Sequence, residues 1–468
     1  MIAIGTILSS RTLIWGLFPA LMVLIITMVL GRVFCGWVCP MGTIIDLNDK
    51  WFHRRHKRSK IDENSGRFRR IKYFILGAVL AAALFSVQLY WFFDPLALLT
   101  RSFTLFVFPA FVQFVNGVFD VLFRTGLFED GVYRAWDFLQ STIVPLEHRV
   151  FVAALPVLLI FIVILVLSRV SRRFWCRNLC PLGALLGIFS KYRLVDRYVN
   201  DTCTGCGVCR SCRMNAVEDD YTDSLPSECI VCGECVDDCP AGSVRFRFGF
   251  RKTKSKIDFS RRSFINAGIT GLAASVMIRI LPGSKASIAA AIRPPGALPE
   301  AELLDRCARC QECVRVCSTT GGCLQPIGLE AGLEGVWTPV VSPAAGYCEY
   351  NCNLCGQVCP TGAISVLSLA EKQKLQIGIA RFNKDHCIPW YKMQDCLVCE
   401  EHCPTPEKAI RFDEREVTDP DGSTRTVKFP RVDEALCIGC GICENKCPVA
   451  GTKGIGVTGN PQQYRLSV

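Results

Sequence analysis

Cys229-Ile-Val-Cys232-Gly-Glu-Cys235-Val-Asp-Asp-Cys239-Pro240 decides how this chain is read. Three thiols fall on one tight loop, and a fourth follows with a proline behind it. Thiolates so spaced reach three irons of one cubane, while the fourth is directed at a neighbouring cluster. Upstream lies a shortened version, Cys203-Thr-Gly-Cys206-Gly-Val-Cys209-Arg-Ser-Cys212, with no proline after its last cysteine. By that crossing rule Cys203, Cys206 and Cys209 share one 4Fe–4S cluster with Cys239, and Cys229, Cys232 and Cys235 share another with Cys212. A disulfide knot or a zinc ribbon is the competing account. Zinc ribbons separate their C-x2-C pairs instead of running four cysteines together, so the spacing favours iron and sulfide.

The chain has 468 residues, 29 of them cysteine, which is long enough for two to four domains. Its 50% hydrophobic content and mean hydropathy of +0.29 are too apolar for an ordinary soluble protein. A net charge of +11 raises the question of nucleic acid. The basic residues, however, cluster beside apolar segments, at 50–72 and 169–177, which suits membrane topology and not a nucleic-acid groove. No nucleic-acid partner is expected.

Apolar runs at 12–34, 71–93 and 150–168 read as spanning helices of a bilayer about 30 Å thick. A further run, 103–123, carries Pro109, Gln113, Asn116 and Asp120, and the residues leave open whether it spans, lies at the interface or re-enters. Trp37, Trp91 and Phe92 read as interfacial anchors at helix ends. Basic stretches at 50–60, 67–72 and 169–173 belong on the cytoplasmic side. His53 and His56 lie in the first of these and read as part of a solvated basic face. At two cytoplasmic helix ends stands a repeated motif, Cys35-Gly-Trp-Val-Cys39-Pro40-Met-Gly42 and Cys176-Arg-Asn-Leu-Cys180-Pro181-Leu-Gly183. Two such C-x3-C-P pairs can converge on one site, and soft thiolates there select an iron–sulfur cluster, zinc or cuprous copper, with a redox-active dithiol as a further reading. The residues do not choose among these metal or redox roles for Cys35, Cys39, Cys176 and Cys180.

Paired C-x3-C-P motifs on membrane helices, followed by a two-cluster ferredoxin, resemble the NapH-type membrane electron-transfer proteins of periplasmic nitrate reduction and the related NosR and CcoG types. The resemblance covers roughly 31–249. NapH-like proteins begin with an additional helix and periplasmic loop, whereas this sequence starts close to its first C-x3-C-P helix.

Ser260-Arg261-Arg262-Ser263-Phe264-Ile265-Asn266 then forms a twin-arginine pattern, with a moderately apolar stretch at 267–281 and an A-x-A site at 289–291. An export route for folded proteins makes sense ahead of cofactor-bearing cysteine runs. Cleavage and retention as an anchor are both left open. Beyond Arg293-Pro-Pro-Gly-Ala297 come four more runs. They are Cys307, Cys310, Cys313 and Cys317; Cys348, Cys352, Cys355 and Cys359; Cys387, Cys396, Cys399 and Cys403; and Cys437, Cys440, Cys443 and Cys447. They supply ligands for four more 4Fe–4S clusters. Runs one with two and three with four is the simplest pairing; a nested arrangement is the alternative. Cys323 is left over and reads as structural. Gly356, Gly439 and Gly441 let the backbone close round a cubane, and a short helix with a strand beyond is expected after each fourth cysteine. This half resembles the NapG-type four-cluster ferredoxins, so the whole looks like a NapH-like and a NapG-like protein in one polypeptide.

The expected fold is multi-domain α+β with bacterial two-cluster ferredoxin-like domains, one N-terminal pair and two C-terminal pairs. A transmembrane helical domain, 1–195, carries both C-x3-C-P motifs. A cytoplasmic two-cluster domain follows at 196–250, then the twin-arginine signal or anchor with its linker at 251–292, then a periplasmic four-cluster domain at 293–468. About six 4Fe–4S clusters are expected, with one further metal or iron–sulfur site at the C-x3-C-P motifs. There is no C-x-x-C-H for covalent haem and no nucleotide loop, and the five histidines, His53, His56, His148, His386 and His402, sit outside strongly apolar helices. No catalytic residue is expected. Such a chain reads as a multi-pass inner-membrane electron carrier. It takes electrons from quinol, or from a cytoplasmic donor, and passes them to a periplasmic redox enzyme or small carrier. The resemblance implies a quinol dehydrogenase component and a reductase such as a nitrate reductase. Rival readings are a maturation or redox-maintenance factor for a periplasmic metalloenzyme, using the C-x3-C-P thiols, and a scaffold with structural clusters.

Overall fold

A computed structural model describes residues 1–14, 16–52, 65–125, 129–142, 151, 153–218, 220–249, 260–280, 291–418 and 423–459. Most of the basic stretch 50–60, with His53 and His56, lies outside the described residues, as do His148 and the first two residues of the A-x-A site. The chain divides into two units, Met1–Ser102 with Pro156–Ile280 and Phe103–Leu155 with Leu281–Val468.

Helices dominate the first unit. Ile2–Ser10 ends at Arg11 (φ 55°), and of the run expected at 12–34 the helix covers only Leu17–Leu30, ending at Gly31 with φ 83°. At 1.5 Å per residue those 14 residues rise only about 21 Å. The run at 71–93 is likewise redistributed. Ser65–Leu84 begins earlier, and the remainder turns at Ser86 (φ 58°) into the short helix Tyr90–Phe93. Ala154–Leu167 occupies the third run. The ambiguous segment 103–123 is part of an apolar helix of 31 residues, Pro95–Thr125, interrupted by a π-helical turn at Phe103–Val107. Among the described residues, this helix and Arg261–Ile280 are the two long and apolar enough to cross a membrane.

Small residues decide how Arg261–Ile280 meets Ser65–Leu84. Ala267, Gly271 and Ser275 recur every fourth position and are buried. A Cβ on Gly271 would stand 2.3 Å from the Ala78 carbonyl oxygen, and one on Gly77 would stand 3.0 Å from the Ala267 methyl. Stripes of this kind permit backbone-to-backbone packing without a hydrophobic drive. Trp91 departs from its expected interfacial place. It is buried, with the Arg101 guanidinium 5.5 Å from its ring centroid, because Tyr90–Phe93 folds inward against Ile2–Ser10.

The cysteine-rich parts are held by small antiparallel pairs. Val195–Val199 pairs with Val244–Phe248 and brackets the runs from Cys203 to Cys239. In the second unit an Ala297–Ile364 bridge brackets the runs from Cys307 to Cys359, and Gly378–Phe382 with Ile455–Gly459 brackets those from Cys387 to Cys447. A long hairpin, Ile410–Thr418 with Thr424–Val432, projects from the latter. Among the described residues every sheet has two strands, too few for independent stability. The core beneath is largely sulfur, with Cys399, Cys403, Cys437 and Cys443 packed among Ile410 and Ile455. The short helices stand before the fourth cysteine, at Glu234–Asp237, Leu354–Gln357 and Ile442–Lys446, and not after it as expected. A residue preceding proline is driven extended, as Cys447 is at ψ 123°, so the helix stops there.

Candidate metal centres

The loop C-x2-C-x2-C adopts one geometry in four runs. The residue before the second cysteine and the residue after it are both left-handed: Gly205 and Gly207, Val231 and Gly233, Arg309 and Gln311, Gly439 and Gly441. Such a turn points successive amides into a concavity suited to an anionic cluster. Gly439 and Gly441 are therefore glycines for backbone reasons. Gly356 is not; it lies in a short helix, and a Cβ there would meet the Ser365 carbonyl oxygen at 2.3 Å.

Thiols gather in sets of four around separate cavities. One cavity is lined by Cys403, Cys437, Cys440 and Cys443, another by Cys387, Cys396, Cys399 and Cys447. A third is lined by Cys317, Cys348, Cys352 and Cys355, and Cys323 also faces it, its Sγ 3.7 Å from that of Cys317. Cys307, Cys310, Cys313 and Cys359 form a further mutually interacting set. In the first unit Cys212, Cys229, Cys232 and Cys235 line one cavity together with Cys209. Cys203, Cys206 and Cys209 lie together, whereas the contact of Cys239 is with the Ser243 hydroxyl at 3.2 Å, which brings its thiol down to about 7.

Burial pushes Cys310, Cys355, Cys399 and Cys440 up to about 12 and Cys387 to about 11. Such sulfurs are neutral unless a cation meets them. Cys317 moves the opposite way, lowered by its hydrogen bond with Cys323. All 29 cysteines are unbridged thiols. Tetrahedral zinc at about 2.3 Å from sulfur holds its thiolates about 3.8 Å apart. Among the described residues no three thiols have sulfurs all within 4.8 Å of one another; the one trio of potential ligands that close is Glu218, Asp220 and Asp223. Four-thiol sets spread wider than a single ion allows fit an iron–sulfur cluster.

The C-x3-C-P thiols also converge. Cys39 and Cys180 lie in one buried cluster with Cys35 and Cys176 packed against it. Each pair is separated by a π-helical turn, Phe34–Val38 and Trp175–Leu179, and each second cysteine is extended (ψ 112° and 110°) before the proline that opens the next helix. The site abuts the ferredoxin loop. Gly36 leaves room for the Ile230 carbonyl, 2.5 Å from where a Cβ would be, and the exposed Trp37 indole donates to the Val231 carbonyl at 3.0 Å. Ile230, Met214 and Ala216 form a buried cluster against which Cys35, Cys176, Cys212, Cys229 and Cys232 all pack. Beneath them Glu228 accepts from Lys72 at 2.6 Å and from Arg32 at 3.3 Å, all three buried, and Asp46 accepts from Arg173 and from Arg213. Sequence reading missed these charges. The signal available was that Arg32 and Arg173 stand at the same offset before Cys35 and Cys176.

Thiol sets of this number and spacing, strung on two-stranded brackets, define a multi-cluster iron–sulfur protein of the ferredoxin type. Two 4Fe-4S binding domain models match, one at 12–59, 153–197 and 355–376, the other at 429–452. The ferredoxin-type protein MauM of Methylorubrum extorquens is 31% identical over 208 residues, 44% of this chain and 90% of MauM. NapH of Haemophilus influenzae is 26% identical over 247 residues, 49% of this chain and 67% of NapH, and NapG of Escherichia coli is 32% identical over 165 residues, 33% and 65%. No solved structure matches the chain. The chain belongs to the family of the MauM, NapH and NapG ferredoxin-type electron-transfer proteins, and it combines NapH-like and NapG-like parts in one polypeptide.

Proposed function

We propose that this protein is a multi-pass inner-membrane electron carrier that takes electrons from quinol, or from a cytoplasmic donor, and delivers them to a periplasmic redox enzyme such as a nitrate reductase. Bound clusters supply one-electron redox chemistry. Each quinol releases two electrons and two protons, and the chain passes the electrons singly. The domain plan is 1–195 in the membrane, 196–250 cytoplasmic, 251–292 a twin-arginine segment and linker, and 293–468 periplasmic. The packing of Arg261–Ile280 on Ser65–Leu84 favours retention of that segment as an anchor. Among relatives, the NapH name supports a membrane location, and the MauM name, which refers to methylamine utilisation, widens the range of partners.

The thiols of the gathered sets are the proposed ligands, with Cys239 completing the set of Cys203, Cys206 and Cys209 and with Cys35, Cys39, Cys176 and Cys180 holding a further cluster. One observation carries the reading: the thiol sets of the second unit stand in series. Cys355 is close enough to act electrostatically on Cys313, the Cys348 amide donates to the Cys440 carbonyl at 2.8 Å, and Cys443 and Cys399 pack in one buried cluster. Residues arranged to hold redox centres in a row serve conduction. The test is anaerobic addition of a quinol to the purified full-length protein, with reduction followed by electron paramagnetic resonance. Reduction of clusters in both halves supports the reading. Inert clusters, together with a deletion strain whose partner enzyme lacks its metal, point instead to a maturation factor.

A further inference from the structure

The two C-x3-C-P motifs belong to a longer repeat. Arg32-x2-Cys35-x3-Cys39-Pro40-x-Gly42 and Arg173-x2-Cys176-x3-Cys180-Pro181-x-Gly183 match position for position. Each arginine crosses to the other copy. Nη2 of Arg32 lies 2.8 Å from where a Cβ on Gly183 would stand, and Nη2 of Arg173 lies 3.5 Å from that place on Gly42. Arg173 Nη1 also donates to the Cys35 carbonyl at 3.1 Å. Arg32 lies within electrostatic reach of Cys35 and Cys180, and Arg173 of Cys176 and Cys35. Gly183 thus leaves the space that the Arg32 guanidinium occupies, whereas at Gly42 the Cys35 carbonyl, 3.1 Å from where a Cβ would stand, is closer than Arg173.

Arg32 is fully buried, yet its Nη1 alone has partners, the Ser227 carbonyl at 2.8 Å and Glu228 at 3.3 Å. Among the described residues its Nε and Nη2 have none. A buried guanidinium with unpaired donors is costly unless negative charge meets it. Four thiolates around one cluster bring such charge, and each electron accepted adds one more unit of it.

We propose that Arg32 and Arg173 are the charge-compensating pair of the C-x3-C-P site, each reaching across the repeat, and that they raise the reduction potential of the group its four thiols hold. This rests on the reading of those thiols as a cluster site. The arginines act as positioning and tuning residues; the thiols remain the ligands. Arg32 carries the larger share, because Arg173 is already matched by Asp46 through two hydrogen bonds.

Potentiometric titration of the full-length protein in detergent, read by electron paramagnetic resonance, tests this, with the ferredoxin-type signals as internal reference. Arg32→Gln is made together with Glu228→Gln, so that no carboxylate is stranded, and Glu228→Gln alone is the control. The double variant is expected to disfavour reduction of the C-x3-C-P signal tenfold or more relative to that control, about 59 mV for one electron. Arg32→Lys, which keeps a point charge, stays near wild type. Loss of the signal in the double variant with retention in Arg32→Lys also supports the proposal. An unchanged potential in the double variant, or loss of the signal in Arg32→Lys, overturns the arginine assignment alone. A wild-type protein with no signal removable by Cys39→Ser or Cys180→Ser overturns the cluster reading, and this inference with it.

Discussion

Glu228→Gln removes one negative charge from the place where the ferredoxin loop meets the helices. Glu228 stands directly before Cys229, its side chain 3% exposed, between Lys72 and Arg32, each 0% exposed. At an effective dielectric of about 20, a pair separated by the 2.6 Å of Lys72 and Glu228 attracts by about 6 kcal/mol before desolvation is subtracted. Forming such a buried pair gains little net, because both ions leave water. Breaking it is different: two cations remain buried without a counter-charge, and the usual cost is about 3–5 kcal/mol. That is a large part of the stability of a domain. The expected result is a marked drop in the denaturant midpoint at which the detergent-solubilised full-length protein loses its iron–sulfur absorbance, with earlier proteolysis around Cys229. Adding Lys72→Met removes one stranded cation, so the double variant recovers part of the loss and the two effects are not additive. A Glu228→Gln protein within about 0.5 kcal/mol of wild type, the ordinary range for surface substitutions, refutes the argument.

Further outcomes follow from the same geometry. Six ferredoxin-type sites and one C-x3-C-P site predict about 28 irons per chain at four per cluster, and Cys39→Ser or Cys180→Ser should remove about four of them while leaving the ferredoxin signals intact. Gly439→Ala meets both a left-handed backbone (φ +74°) and the Gly378 amide nitrogen at 2.3 Å. It should cost about 2–5 kcal/mol in strain and overpacking and selectively deplete iron from the set of Cys403, Cys437, Cys440 and Cys443. Gly271→Leu drives a side chain into the Ala78 carbonyl, so the full-length protein should accumulate poorly and melt earlier in detergent, whereas Gly268→Leu, where nothing lies within 4 Å, should be tolerated. A fully accumulating Gly271→Leu protein would count against the helix packing.

Short-range chemistry was legible in the residues. Three cysteines spaced by two share a loop because the chain allows nothing else, and the soft character of sulfur points to iron and sulfide before any fold is known. The C-x3-C-P pairs announced themselves as a repeat, though not which ligand they take. Helix extents were poorly read at 12–34 and 71–93, because hydropathy averages over the breaks at Gly31 and Ser86. Trp91 was misplaced for a related reason: an aromatic at a helix end looks the same from the sequence whether it faces lipid or folds inward.

Sequence alone, then, determined the chemistry of the sites, since ligand type and local spacing are properties of a few consecutive residues. Only the tertiary structure decided which thiols from distant motifs face one cavity, which arginine crosses to which glycine, and where Glu228 finds its two cations. Those are contacts between residues such as Lys72 and Glu228, 156 positions apart in the chain, and such contacts depend on how helices and loops pack.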